Sequence, residues 1–223
     1  MFSDLQILAD GNNFQRLVLG LGVSIQIALA SMGLSIVLGT LLGGVMSSPS
    51  KIVRVITQTY LQFVRIMPQL VLLFLVYFDA TRAWGLNLDA RVAAVIVFTL
   101  WGTAELGDLV RAAIESVPRH QYLSAAALGI EGRALYRHVV LPQALRGLIP
   151  ATINLTNRMI MTTSLVALIG VVEVLKVAQQ IIDANRFEYP SAALWIYGVV
   201  FLLYFLVCFP ISLAARKLEE RWS

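Results

Sequence analysis

From Leu17 to Met46 the chain carries no charged side chain, and no other feature limits its possible folds so sharply. A helix crossing the hydrocarbon core of a bilayer needs about 20 apolar residues. The segment 16–47 exceeds that, so it must tilt or run past the boundary. Four further apolar segments follow at 55–78, 92–116, 148–170 and 191–213. Their apolar residues are continuous rather than alternating, which selects helices over the strands of a membrane barrel. Charged residues make up 13% of the 223, against about 25% in a soluble domain. The sequence therefore predicts an all-α polytopic membrane protein, a single domain over 1–223 with about five transmembrane helices. Ser31, Ser35, Gly39 and Gly43 repeat every four residues along the first span. Such a seam admits a close helix neighbour, expected within one subunit in preference to an interface between two.

The charges that do fall within spans carry information because each is costly there, on the order of 3 kcal/mol at mid-bilayer by insertion scales. Glu105, Asp108, Arg111 and Glu115 are spaced by three, three and four, which puts all four on one helical face. A charged stripe of this kind cannot face lipid. Arg65 precedes Pro68, whose ring forces its predecessor out of helical geometry; the arginine either snorkels to headgroups or pairs in the interior. Arg158 lies near the centre of the fourth span, where Pro150 is expected in the first turn. Two readings are open for Arg158 and Glu105: they pair with each other, or they face a shared cavity and hold the carboxylate and the ammonium of a zwitterion. Between the spans, 79–91 with Trp84 and 171–189 with Glu173 read as external segments. Residues 1–14 read as a surface helix, without the features of a cleaved signal, and 214–223 as a charged tail.

The longest polar stretch, 116–147, lies between spans three and four. It contains Arg119, Arg133, Arg137, Arg146 and His138. Leu123, Ala127 and Ile130 fall at i, i+4 and i+7, one face of a short helix that Gly129 and Gly132 loosen. Pro142 caps the next apolar run. This is a docking surface for a partner outside the bilayer.

Two runs within it, Pro118-Arg119-His120-Gln121-Tyr122-Leu123-Ser124-Ala125-Ala126-Ala127-Leu128-Gly129 and Val139-Val140-Leu141-Pro142-Gln143-Ala144-Leu145-Arg146, resemble the EAA loop of binding-protein-dependent ABC importer permeases. The polar amino acid type, carrying histidine, glutamine or glutamate, is the most similar. Gly129, Val139, Leu141 and Pro142 keep the family spacing. Leu123 stands where the family has Glu, and Ser124 where it has the first Ala. Arg65 and Pro68 match the family's Arg-Gly-Thr-Pro. Thr163, Ser164 and Leu165 match the end of its Lys-Asp-Thr-Ser-Leu.

The resemblance implies a type I importer permease fold with a cytoplasmic coupling helix, and a transport role by alternating access. It implies a substrate pathway at Arg158, Glu105, Thr163 and Ser164. It implies ATPase coupling through Leu123, Ser124, Ala125, Ala126, Gly129, Ile130, Leu141 and Pro142. The implied partners are a dimer of ABC ATPases carrying ATP and Mg, a second permease of the same or different sequence, an external solute-binding protein and an amino acid. A permease for another small solute, a passive channel and a membrane scaffold are the alternatives.

With the N-terminus outside and the C-terminus inside a bacterial inner membrane, the inner segments hold Lys51, Arg54, Arg119, Arg133, Arg137, Arg146, Arg216, Lys217 and Arg221. The outer segments hold Arg16, Arg82, Arg91, Lys176 and Arg186. The excess on the inner side follows the positive-inside rule. The net charge of +4 is thus a matter of topology and points to no nucleic acid. No phosphate loop is present, so ATP hydrolysis is not expected in this chain. No HExxH or GxSxG pattern is present either. His120 and His138 read as surface residues, and no catalytic or metal site is expected. The single Cys208 in an apolar run gives no disulfide framework.

Overall fold

The computed structural model describes residues 3–79, 82, 83, 85 and 87–222, with side chains from Gln6 onward. Trp84, expected as an interfacial aromatic, lies outside the described residues, as do Met1, Phe2 and Ser223 of the terminal segments. Every regular element among the described residues is helical. Short 3-10 turns at Ser3–Leu8 and Asp10–Asn12 lead into α1 (Asn13–Met46). There follow α2 (Lys51–Ile66), α3 (Gln69–Phe74, widening into a π turn at Leu75–Asp79) and α4 (Ala90–Glu115). After α5 (Arg119–Ala127) and α6 (Gly132–Leu135), a π turn at Tyr136–Val140 joins α7 (Leu141–Thr162). A 3-10 stretch, Thr163–Ile169, precedes α8 (Val174–Asn185) and α9 (Ala192–Trp222).

Among the described residues, three helices are long and apolar enough to cross a membrane: Asp10–Met46, Ala90–Glu115 and Ala192–Trp222. Two broken pairs, Lys51–Ile66 with Gln69–Asp79 and Gly132–Ile169 with Val174–Asn185, raise the number to five if each pair is one span. The first break sits where Pro68 requires it. Met67 is extended, with φ −67° and ψ 126°, the conformation that a following proline ring imposes.

Contacts divide the chain into two compact units. The first comprises Met1–Ser31, Pro68–Phe98 and Asn157–Pro210. Its core gathers Ile7, Leu17 and Leu21 with Val174, Val177, Ala178 and Ile181 of α8 and Ala192, Ile196 and Val200 of α9. The helix expected within 171–189 is α8, and it packs into this core. The apolar residues of α8 recur at helical spacing and are buried, while Lys176, Asp183 and Arg186 lie off that face. Gly20 makes the approach of α1 possible, since a Cβ there would stand 2.8 Å from the Val174 amide nitrogen. Ser31 Oγ donates to the Val95 carbonyl at 3.5 Å.

The second unit comprises Met32–Met67, Thr99–Thr156 and Ile211–Ser223. Here the small-residue seam packs α1 on α4 within the chain. Ser35 Oγ donates to the Thr99 carbonyl at 3.3 Å. A Cβ on Gly39 would meet Leu106 at 2.8 Å, and one on Gly43 would meet Val110 at 2.5 Å. Tyr60 of α2 donates its hydroxyl to the Leu100 carbonyl at 2.9 Å.

Three boundaries differ from the sequence expectation. Pro150 lies inside α7 and not in a first turn, because helix begins at Leu141 and takes in the polar residues Gln143 and Arg146. The missing N–H then falls in the interior, opposite the Arg146 carbonyl. The charged tail continues α9 as helix to Trp222, its Arg216, Lys217, Glu219 and Glu220 being good helix formers. The docking helix ends at Ala127, so Ile130 does not share a helical face with Leu123.

Candidate functional site

Two features of the second unit stand out, a charged cluster and the loop at 116–147. The cluster is organised by Arg65 in the last turn of α2. Its Nε donates to Glu105 Oε1 and its Nη2 to Asp108 Oδ2, both at 2.8 Å. Arg111 continues the chain of charges, donating to Asp108 Oδ1 at 2.5 Å and to Glu115 Oε2 at 2.6 Å. The four charges spaced along α4 therefore do lie on one face, and that face meets Arg65. The arginine is an interior partner more than a snorkelling residue, although its side chain stays 37% exposed. Gln58, Thr59 and Gln62 of α2 join Arg65, Asp108 and Arg111 around a cavity of about 650 Å³. A cavity with amide, hydroxyl, guanidinium and carboxylate groups can hold a small polar or zwitterionic solute.

The loop at 116–147 is built for contact. Helix α5 follows Pro118, whose fixed φ suits a helix start. It ends in a Schellman motif: Ile130 N–H bonds the Ala125 carbonyl and Gly129 N–H the Ala126 carbonyl, each at 2.9 Å. Gly129 supplies the required left-handed residue at φ +70°. Leu123 and Leu128, large apolar side chains in a polar loop, are 72% and 77% exposed. Ser124, Ala126, Gly129, Leu141 and Pro142 are also exposed, Ile130 is half-buried and Ala125 is buried against the helix's own support. Gln143 Nε2 of α7 reaches Gln121 Oε1 of α5 at 3.5 Å.

The remaining expected site residues, Arg158, Thr163 and Ser164, fall in the first unit, whereas Glu105 falls in the second. Arg158 is exposed on α7. Thr163 is buried, and its hydroxyl donates to the Ile160 carbonyl at 2.6 Å. Ser164 Oγ donates to the Met161 carbonyl at 3.1 Å. Both hydroxyls are turned to their own helix.

Glu173, in a segment expected to be external, is among the most enclosed groups. Glu173 is fully buried. Its Oε1 caps α8 by accepting the Lys176 N–H at 2.9 Å, and its Oε2 accepts the Ser24 hydroxyl of α1 at 3.1 Å. The signal was present in the sequence: Glu173 is a lone acid flanked by Val171, Val172, Val174 and Leu175. Among the described residues no group of His, Cys, Asp and Glu could hold a metal ion.

A polytopic helical chain, with a charged cluster beside its spans and an exposed loop helix between them, has the form of a transport protein's membrane subunit. The family described as "Binding-protein-dependent transport system inner membrane component" matches residues 35–223, and the chain belongs to that family. It is 30% identical to a probable amino-acid ABC transporter permease protein, YckA of Bacillus subtilis (strain 168), over 95% of this chain and 91% of that one. It is 32% identical to a probable amino-acid ABC transporter permease protein, PatM of Vibrio harveyi, over 82% of this chain and 84% of that one. The fold is that of an amino acid ABC transporter solved with histidines, with a TM-score of 0.86 at 23% identity over 96% of this chain and 98% of that one. The inward-facing MetNI methionine ABC transporter superposes with a TM-score of 0.77 at 17% identity, over 96% of this chain and 99% of that one. The chain is thus a multi-pass membrane permease with the type I importer fold, a transport subunit and not itself a catalyst.

Proposed function

We propose that this permease carries a polar amino acid inward by alternating access, driven by a dimer of separate ABC ATPases that hold ATP and Mg. It works with a second permease subunit and is supplied by an external solute-binding protein. The N-terminus lies outside and the loop at 116–147 inside, as the distribution of Lys and Arg supports. The observation that carries the reading is α5 with its exposed Leu123 and Leu128. A short rigid helix ended by a Schellman motif can pass force from a moving partner to α4 and α7 on either side of it. With Leu123 in the place of the family's Glu, this contact is apolar, filling a pocket on the ATPase instead of pairing with a cation.

The solute moves past polar groups of the spans. Arg158 takes its carboxylate. In the second unit, Glu105 and Asp108, already balanced by Arg65 and Arg111, offer carboxylates to a passing ammonium by exchanging partners. Thr163 and Ser164 shape the wall of the route. The relatives named for amino-acid transport support this class of solute.

The test is uptake by the assembled transporter with Arg158→Ala, alongside co-purification of the ATPase. Uptake lost with the ATPase retained supports the pathway. Unchanged uptake removes Arg158 from it.

A further inference from the structure

The geometry points to a binding site for an anionic phospholipid in the second unit, with the phosphate on α6 and the following π turn and an acyl chain along α4 and α7. Gly132, Ala134, Tyr136 and Val140 line a groove of about 880 Å³ whose rim carries Arg133, Arg137 and His138. All three are exposed. Among the described residues neither arginine has an ion-pair partner. The His138 Nδ1–H donates to the Ala134 carbonyl at 3.0 Å, which turns Nε2 outward, and Glu131 does not line the groove. Arg133 and Arg137 therefore present donors and positive charge, with no carboxylate among the lining residues.

The floor is different in kind. Ile114 and Leu141 line this groove and also a second cavity of about 330 Å³. That cavity runs between apolar residues of α1, α4 and α7, among them Ile36, Val110, Leu145 and Ile149. Its two hydroxyls, Thr40 and Thr152, donate to the carbonyls of Ile36 and Leu148 at 2.6 and 2.8 Å. Both hydroxyl protons are therefore taken, and the trough offers no free hydroxyl donor. A basic rim opening onto an apolar trough, on the flank of membrane helices, matches a molecule with an anionic head and a hydrocarbon tail. The exposed Leu123 and Leu128 of α5 line neither cavity, whereas Leu141, also expected to couple to the ATPase, lines both, so the lipid would lie along the edge of the partner surface. The inference needs only that the chain sits in a membrane, and its test uses the permease without the ATPase or the solute.

Native mass spectrometry of the purified full chain, titrated with phosphatidylglycerol or with phosphatidylcholine of the same acyl chains, tests the site. Wild type should retain phosphatidylglycerol about tenfold better, and Arg133→Gln with Arg137→Gln should erase that preference without lowering phosphatidylcholine binding. The pair Arg133→Lys and Arg137→Lys should keep most of it. Ala113→Phe, which fills the trough, should weaken both lipids. Equal retention of the two lipids by wild type overturns the site. So does unchanged preference in the glutamine variant, whether or not that variant loses the ATPase. Displacement by excess inorganic phosphate alone would identify a simple anion pocket and equally overturn it.

Discussion

Arg65 Nε donates to Glu105 Oε1 at 2.8 Å, joining the last turn of α2 to the middle of α4 within one unit. The same guanidinium reaches Asp108, so one side chain balances two carboxylates that are only 13% and 18% exposed. Removing it takes one partner from each carboxylate, while Asp108 keeps Arg111. Arg65→Ala should destabilise the purified permease by about 1–3 kcal/mol, between the values for exposed and enclosed pairs. Combining it with Glu105→Gln should recover part of the loss. Thermal unfolding in detergent reads both, and a silent Arg65→Ala would show that the cluster is held by Arg111 alone.

Gly43 and Gly44 are adjacent and predict opposite outcomes. A Cβ on Gly43 would stand 2.5 Å from Val110 Cβ and 2.7 Å from the Gly107 carbonyl oxygen, which is backbone and cannot turn aside. A Cβ on Gly44 meets nothing within 4 Å. Gly43→Ala should cost about 1–3 kcal/mol through overpacking, whereas Gly44→Ala should be neutral or mildly stabilising. Thermal unfolding of the two variants side by side is the check. Equal effects would contradict the close packing of α1 on α4.

Glu173 holds two helices of the first unit at once. Glu173→Ala loses the N-cap of α8, about 1 kcal/mol, and the acceptor for Ser24 besides. Glu173→Gln keeps a carbonyl acceptor and should lose less. Ser24→Ala should fall between wild type and Glu173→Ala. A ranking in which Gln is as damaging as Ala would mean that the charge, not the hydrogen bonds, stabilises this junction.

Gly129 serves the loop helix by its backbone. At φ +70° a side chain is strained, so Gly129→Ala should fray α5, at a cost of about 1 kcal/mol. Coupled ATP hydrolysis should drop while the permease still assembles. Gly129→Asn, which tolerates this conformation better, should retain more coupling. Identical coupling in the two variants would argue against a conformational role.

The all-helical class, the small-residue seam and the charged face of α4 were legible because each rests on local spacing: long apolar runs, a period of four, steps of three and four. The partner of that face was legible only in part. Arg65 is forty positions from Glu105, and nothing local says whether an arginine beside a proline turns to headgroups or to another helix. The burial of Glu173 was only partly legible, for a related reason. A single acid near Lys176, Asp183 and Arg186 has the composition of a solvated loop, and its burial depends on Gly20 letting α1 approach. The extent of α5 turned on Gly129. Apolar periodicity ran through to Ile130, but the left-handed glycine had already ended the helix.

Solute-stimulated ATP hydrolysis in vesicles, with the permease reconstituted beside its ATPase and binding protein, tests the central claim most directly. The account predicts that a polar amino acid delivered by the binding protein raises hydrolysis several-fold, and that Leu123→Asp in the exposed face of α5 abolishes the rise while leaving basal hydrolysis by the ATPase. Solute flux that proceeds without ATP, or stimulation untouched by Leu123→Asp, would contradict it.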